Sequence, residues 1–130
     1  MGDVRTIDRR ALERKLAARA PDSVSKSRGY VLINVLRPAD FAGQHIPHSI
    51  NVPLADIDVL QDLYSKDKEI ILYCASPECD ASPKAARALV ESGFENVYDY
   101  SHGLSDWRDA GNRVAGSQIT LAERLREVRV

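Results

Sequence analysis

Apolar residues along this chain gather into short dense runs separated by polar stretches, and the spacing inside each run predicts its element. Residues 30–35 (Tyr30-Val31-Leu32-Ile33-Asn34-Val35) form a nearly unbroken, β-branched run, the pattern of a strand covered on both faces. Residues 69–74 repeat it, residues 49–52 give a short strand ended by Pro53, and residues 96–100 give another. Between these runs the period lengthens. Ile7, Asp8 and Leu12 predict a capped and hydrophobically stapled helix start, and Leu12 and Leu16 share the face of a helix running to about Arg19. Ile57, Leu60 and Tyr64 lie on one helical stripe, and Ser82-Pro83 predicts a serine cap opening a helix that Gly93 ends. Residues 38–42 allow only a short helical turn, and Leu104 to Asp109 a short helix around Trp107. Thr120 to Glu123 read as a capping box for a terminal helix with Leu121 and Leu125 on one side. Residues 21–29 are polar and rich in breakers, hence a loop.

Strands alternating with helices predict an α/β fold around a mostly parallel sheet. The 130 residues suit one domain, read as 1–130 with a core over about 6–114 and a helical extension over about 119–130. Composition supports a globular chain: 44% hydrophobic and 28% charged residues, with a net charge of -1. That balance gives no electrostatic reason to expect a nucleic-acid partner. The basic residues near the N-terminus and in the tail are interspersed with acids, as on solvated helix faces. No apolar run is long enough to cross a membrane, and the N-terminal residues lack a secretory pattern. Two cysteines in such a chain predict a reducing, cytoplasmic setting.

The most informative stretch runs Leu72-Tyr73-Cys74-Ala75-Ser76-Pro77-Glu78-Cys79-Asp80-Ala81-Ser82-Pro83-Lys84. A buried strand stops at Cys74, a loop follows, and a helix starts near Ser82. In parallel α/β folds ligands bind beyond the carboxyl ends of strands, where loop amides and the helix dipole favour negative charge. A thiol of ordinary pKa, about 8.5, is only a few per cent ionised at pH 7; half ionisation needs about 2 kcal/mol of differential stabilisation. The position therefore predicts a thiol biased toward thiolate. The alternative is a small apolar residue finishing a strand.

Several ordered segments resemble the rhodanese-like sulfurtransferase family. Residues 32–41 (Leu-Ile-Asn-Val-Leu-Arg-Pro-Ala-Asp-Phe) are similar to its first signature, and residues 45–53 (His-Ile-Pro-His-Ser-Ile-Asn-Val-Pro) to its second. Tyr73-Cys74 with Ser82 and Lys84-Ala85-Ala86 resembles its active-site loop. Gly93-Phe94 and the stretch from His102-Gly103 to Trp107 resemble the segments that follow. The resemblance covers about Thr6 to Val114. It implies a five-stranded parallel sheet flanked by helices, with Cys74 accepting a sulfane sulfur as a persulfide and passing it to a thiol acceptor.

The chain departs from the family pattern in ways that bear on its chemistry. Asn34 and Leu36 stand where aspartate and arginine are usual, and the loop is longer than its commonest form, carries Glu78 and Asp80, and lacks arginine. Anionic donors such as thiosulfate would meet carboxylates rather than cations, so a persulfide is the better expected donor. The extended loop with a second cysteine resembles a family subgroup, and Cys79 becomes a candidate resolving thiol, with a bystander role as the alternative. Asn34, Arg37, His45, Lys84 and His102 are candidate pocket residues. The cysteines and histidines have no standard metal-ligand spacing, so neither metal nor other cofactor is expected. A cysteine phosphatase or arsenate reductase would want an arginine in the loop, which is missing. A protein-interaction module that has lost activity is the other reading. Leu121 and Leu125 would pack on the domain or on a second copy in a homodimer.

Overall fold

The computed structural model describes residues 3–118. Its centre is a five-stranded parallel sheet: β1 (Arg5–Thr6), β2 (Tyr30–Asn34), β3 (Ile50–Asn51), β4 (Glu69–Tyr73) and β5 (Asn96–Tyr100), in the order β1-β5-β4-β2-β3. Four strands are those predicted from pattern. The fifth, β1, is an exposed two-residue edge with no apolar signature, paired through Arg5 to Tyr98 and Thr6 to Asp99. Such a strand is specified by its neighbour rather than by its own residues.

Alternate residues of the central strands enter opposite layers, which explains their unbroken apolar runs. Val31, Ile33, Ile70, Leu72 and Val97 face one core with Ala85, Ala86 and Leu89 of α4 (Ala81–Glu91) and Leu60 of α3 (Leu60–Leu63). Leu32, Ile71, Tyr73 and Tyr100 face the other, against Leu12 of α1 (Arg9–Ala18) and Leu104 and Trp107 of α5 (Gly103–Asp109). A short α2 (Pro38–Gly43) follows β2, and a 3-10 turn over Leu54–Val59 leads into α3. The predicted stripe Ile57, Leu60, Tyr64 is buried as expected, although the first part winds as 3-10 rather than α.

The caps follow local chemistry. The Ala11 amide donates to Asp8 Oδ1 at 2.8 Å, and Leu12 is fully buried. Gly93 ends α4 with φ +101°, a left-handed conformation that lets the Phe94 amide reach the Leu89 carbonyl. The terminal helix predicted around Leu121 and Leu125 lies outside the described residues.

Strands β2, β4 and β5 finish level with one another, Asn34 opposite Tyr73 and Tyr73 opposite Tyr100. Their carboxyl ends therefore share one edge of the sheet, from which Cys74 and its loop emerge.

Candidate active site

Cys74 follows the last residue of β4, and its side chain joins the core layer beneath α4. Only 1% of the residue is exposed, and Ala75, Pro77, Glu78 and Asp80 form the solvent side of the loop covering it. The Cys79 amide donates to the Ser76 carbonyl at 3.1 Å, closing the loop into a turn. That turn aims the Cys79 carbonyl, 3.5 Å away, at the sulfur, and the Ser82 hydroxyl lies 3.4 Å from it.

The Cys79 carbonyl faces the sulfur where amides were expected, and the Ser82 amide alone acts in the expected sense. Burial pushes the Cys74 thiol above its ordinary value, and the neighbouring Cys79 thiol adds to the rise. The Ser82 hydroxyl and amide pull it back only in part. Ionisation of Cys74 is thus disfavoured in the resting fold. In a Cys79→Ser background, alkylation of Cys74 by iodoacetamide is expected to be at least about tenfold slower than for an exposed thiol at pH 7.5, rising with pH to beyond 9. A rate levelling off below pH 8 would contradict this.

Ser82 does not cap α4 as its sequence position predicts. The helix begins at Ala81, and Asp80 occupies the cap position without a side-chain hydrogen bond to the helix. Ser82 has instead turned inward, 1% exposed, toward the sulfur. Pro83 keeps its place in the first turn, where its missing N–H leaves nothing unpaired.

The other candidate residues divide. Asn34 is fully buried; its Oδ1 accepts from the Leu36 amide at 2.9 Å and orders the chain leaving β2. His45 stacks on Phe41 with ring centroids 3.9 Å apart and holds the Phe41 carbonyl through Nδ1 at 2.7 Å, so it anchors α2. Arg37 is exposed and bonded to Asp40 at 3.1 Å, and His102 is exposed at the start of α5. Lys84 is exposed and paired with Asp80 at 2.9 Å, holding that carboxylate on the outside; Glu78 is exposed too.

A cavity of about 610 Å³ opens beside the loop, lined by Leu36, Ala39, Asp40, Gln44, Ala75 and Leu104 among others. Of the candidate site residues only Ala75 lines it. The loop's seat is set by α5: the Leu104 and Ser105 amides donate to the Cys74 and Ala75 carbonyls at 2.8 and 2.9 Å. Gly103 makes this approach possible, with φ +74° and room for no Cβ, which would fall 2.7 Å from the Cys74 carbonyl oxygen. Among the described residues no group of three or more histidine, cysteine or acidic side chains is arranged to hold a metal, and no helix is long and apolar enough to cross a membrane.

Sequence reasoning missed Asp99. It sits on β5 opposite Leu72, 4% exposed, and its Oδ1 has no hydrogen-bond partner. Burial pushes its carboxyl above the usual range, and the Ser82 side chain draws it partly back. The signal was an aspartate inside an otherwise apolar strand run.

Comparisons with known proteins agree with this architecture. The family model for the Rhodanese-like domain matches residues 16–110. The chain is 26% identical over 114 residues to the uncharacterized protein slr1261 of Synechocystis sp., covering 85% of this chain and 63% of that protein. It is 35% identical over 86 residues to the thiosulfate sulfurtransferase GlpE of Pseudomonas syringae pv. syringae, covering 64% of this chain and 76% of the relative. The crystal structure of the BH2092 protein from Bacillus halodurans matches at a TM-score of 0.73 and 27% identity, over 88% of this chain and 78% of that one. The chain spans less than two thirds of the length of the Synechocystis relative.

Proposed function

The chain belongs to the rhodanese-like domain family, and from that premise we propose that it is a sulfurtransferase carrying sulfane sulfur on Cys74. The observation that carries the reading is the position of Cys74: a thiol at the carboxyl end of a central strand, followed by a loop and the first turn of α4, with a hydroxyl 3.4 Å from its sulfur. In the reaction the Cys74 thiolate attacks the outer sulfur of a donor persulfide. A Cys74–sulfur bond forms, the donor's sulfur–sulfur bond breaks, and the donor leaves as a thiolate. A second thiol then removes the carried sulfur. Because Cys74 is buried at rest, the 75–80 loop has to swing off the sulfur before a donor can reach it.

The donor follows from the charges. With Asp80 paired outward to Lys84 and Glu78 exposed, the loop carboxylates do not crowd the sulfur as an inward orientation would. No loop cation exists to grip thiosulfate either, and Arg37 is engaged with Asp40 beside a cavity that Asp40 itself lines. A thiol persulfide, with less charge to neutralise, fits better. We expect kcat/KM for a small-molecule persulfide to exceed that for thiosulfate by at least about a hundredfold, roughly 2.7 kcal/mol of transition-state discrimination. Equal values in parallel steady-state assays would overturn this choice of donor.

Cys79 is proposed as the resolving thiol, attacking the Cys74 persulfide to release hydrosulfide and leave a disulfide. Its support is that the loop turn lays Cys79 against the site, with its carbonyl 3.5 Å from the Cys74 sulfur. In a reducing compartment such as the cytoplasm that disulfide would be reopened by cellular thiols.

One observation favours a second reading, a non-catalytic interaction module: the nucleophile is sealed at rest. Persulfide trapping on Cys74 separates the two, since a module would stay unmodified with every donor.

A further inference from the structure

A second cavity, of about 290 Å³, opens between α1 and α5 and shares no lining residue with the one beside the Cys74 loop. Leu16 of α1, Pro47 and Trp107 of α5 give it apolar walls. Trp107 is buried, and its indole N–H is already spent on the Arg113 carbonyl at 3.0 Å. The volume lies at the small end of the range for ligand pockets. Sulfur transfer uses none of these residues.

His48 lines the same cavity in a backbone conformation that works against it. The Ser49 amide donates to the Ile46 carbonyl at 3.1 Å, closing a four-residue turn with Pro47 second and His48 third. Among the described residues His48 is the one non-glycine with positive φ, at +72°. A turn of this kind favours glycine or asparagine at its third position, because a Cβ is crowded there. Nothing internal offsets that cost. The His48 side chain is exposed and makes no hydrogen bond, ion pair or ring contact with another described residue. A side chain kept at a strained position without an internal partner points to one that meets something from outside.

The charges around the cavity select the occupant. Its acid, Glu13, accepts from Asn112 Nδ2 at 2.6 Å and lies 3.6 Å from Arg9 Nε. Its cation, Arg113, is exposed, and the guanidinium pairs with no acid among the described residues. A guanidinium can hold a carboxylate through two parallel hydrogen bonds, and an imidazole nitrogen can donate a third. We propose that this cavity binds a small organic carboxylate, its apolar body against Leu16, Pro47 and Trp107 and its acid group on Arg113 and His48. The site goes beyond the sulfurtransferase reading and does not depend on it.

The probe is 4-phenylbutyrate, and the reporter is Trp107, the single tryptophan of the chain. Titration of the full chain is expected to give a saturable change in tryptophan fluorescence. The uncharged analogue 4-phenylbutanol, which keeps the apolar body, is expected to bind at least about tenfold more weakly. Arg113→Gln should weaken the acid by at least about tenfold and His48→Gly by about fivefold, with the alcohol unaffected by Arg113→Gln. Because glycine suits the turn, His48→Gly should also unfold at a midpoint no lower than that of the unaltered chain.

No saturable change up to about 10 mM probe would overturn the proposal, as would equal affinities for acid and alcohol. Unchanged affinity for the acid in either variant would do the same. A lowered midpoint in His48→Gly would make the histidine a structural residue and remove the premise. The comparison of acid with alcohol uses the unaltered chain, so it decides the matter whichever variant folds. Neither compound carries sulfur. Failure to form a persulfide on Cys74 would therefore end the sulfurtransferase reading and leave this result standing.

Discussion

Incubation with a low-molecular-weight persulfide is expected to add one sulfur atom to the peptide carrying Cys74, and Cys74→Ser to abolish both this adduct and turnover. The fall should be at least about a thousandfold, down to the background reaction, because serine is far too weakly ionised to replace a thiolate at sulfur. Intact-protein mass spectrometry with steady-state assay reads both. Cys79→Ser gives the informative companion result. If Cys79 resolves the persulfide, its loss should lengthen the life of the Cys74 adduct and remove the Cys74–Cys79 disulfide that follows. An adduct that persists in Cys74→Ser would place the chemistry elsewhere, and equal adduct lifetimes in wild type and Cys79→Ser would retire the resolving role.

Lys68→Met should produce the largest loss of stability from any single side chain away from the sulfur. Lys68 is fully buried, and its ammonium donates to the carbonyls of Asp22, Ser25 and Arg28 at 2.6, 2.8 and 2.7 Å. These three bonds use all its protons, and the Tyr64 ring lies 5.1 Å from the same nitrogen. Burial lowers the lysine's pKa while the Asp22 charge raises it again, so the ammonium is held by its cage rather than by solvent. Methionine keeps the stem but strands three carbonyls, at a cost of about 3–5 kcal/mol. For a chain of this size that corresponds to a midpoint lowered by about 12–20 °C. Calorimetry checks it; a loss under about 1 kcal/mol would mean that water satisfies the carbonyls and that the cage contributes little.

The cage shows why a polar stretch reads poorly from sequence. Residues 21–29 carry the marks of a loop and are one, but nothing in them announces the lysine some forty positions on that fastens them. Lys68 itself looks like an ordinary turn lysine before β4. Its burial arises because the loop, Tyr64 and the start of β4 converge, and Tyr64 adds its own bond to the Ser23 carbonyl at 2.8 Å.

The candidate site divides in the same way. Cys74 was legible because an apolar run that ends in a thiol, then in turn residues, then in a helix start is a local pattern. The orientation of the loop was not. Whether its amides or its carbonyls face the sulfur depends on backbone dihedrals set by the docking of Cys74 and Ala75 onto α5, through Gly103, Leu104 and Ser105. Ser82 was legible as a helix-start residue but not as a neighbour of sulfur, because capping is a local preference and the buried partner outweighed it.

Period and punctuation alone determined the four apolar strands, the helices between them, and the cysteine at a strand's end, since each depends on residues adjacent in the chain. Tertiary structure alone decided the two-residue β1, the docking on α5 of the loop that covers Cys74, and the cage around Lys68. These need segments far apart in sequence to be brought within a hydrogen bond's length. Charge and desolvation act through that distance, which the order of residues does not contain.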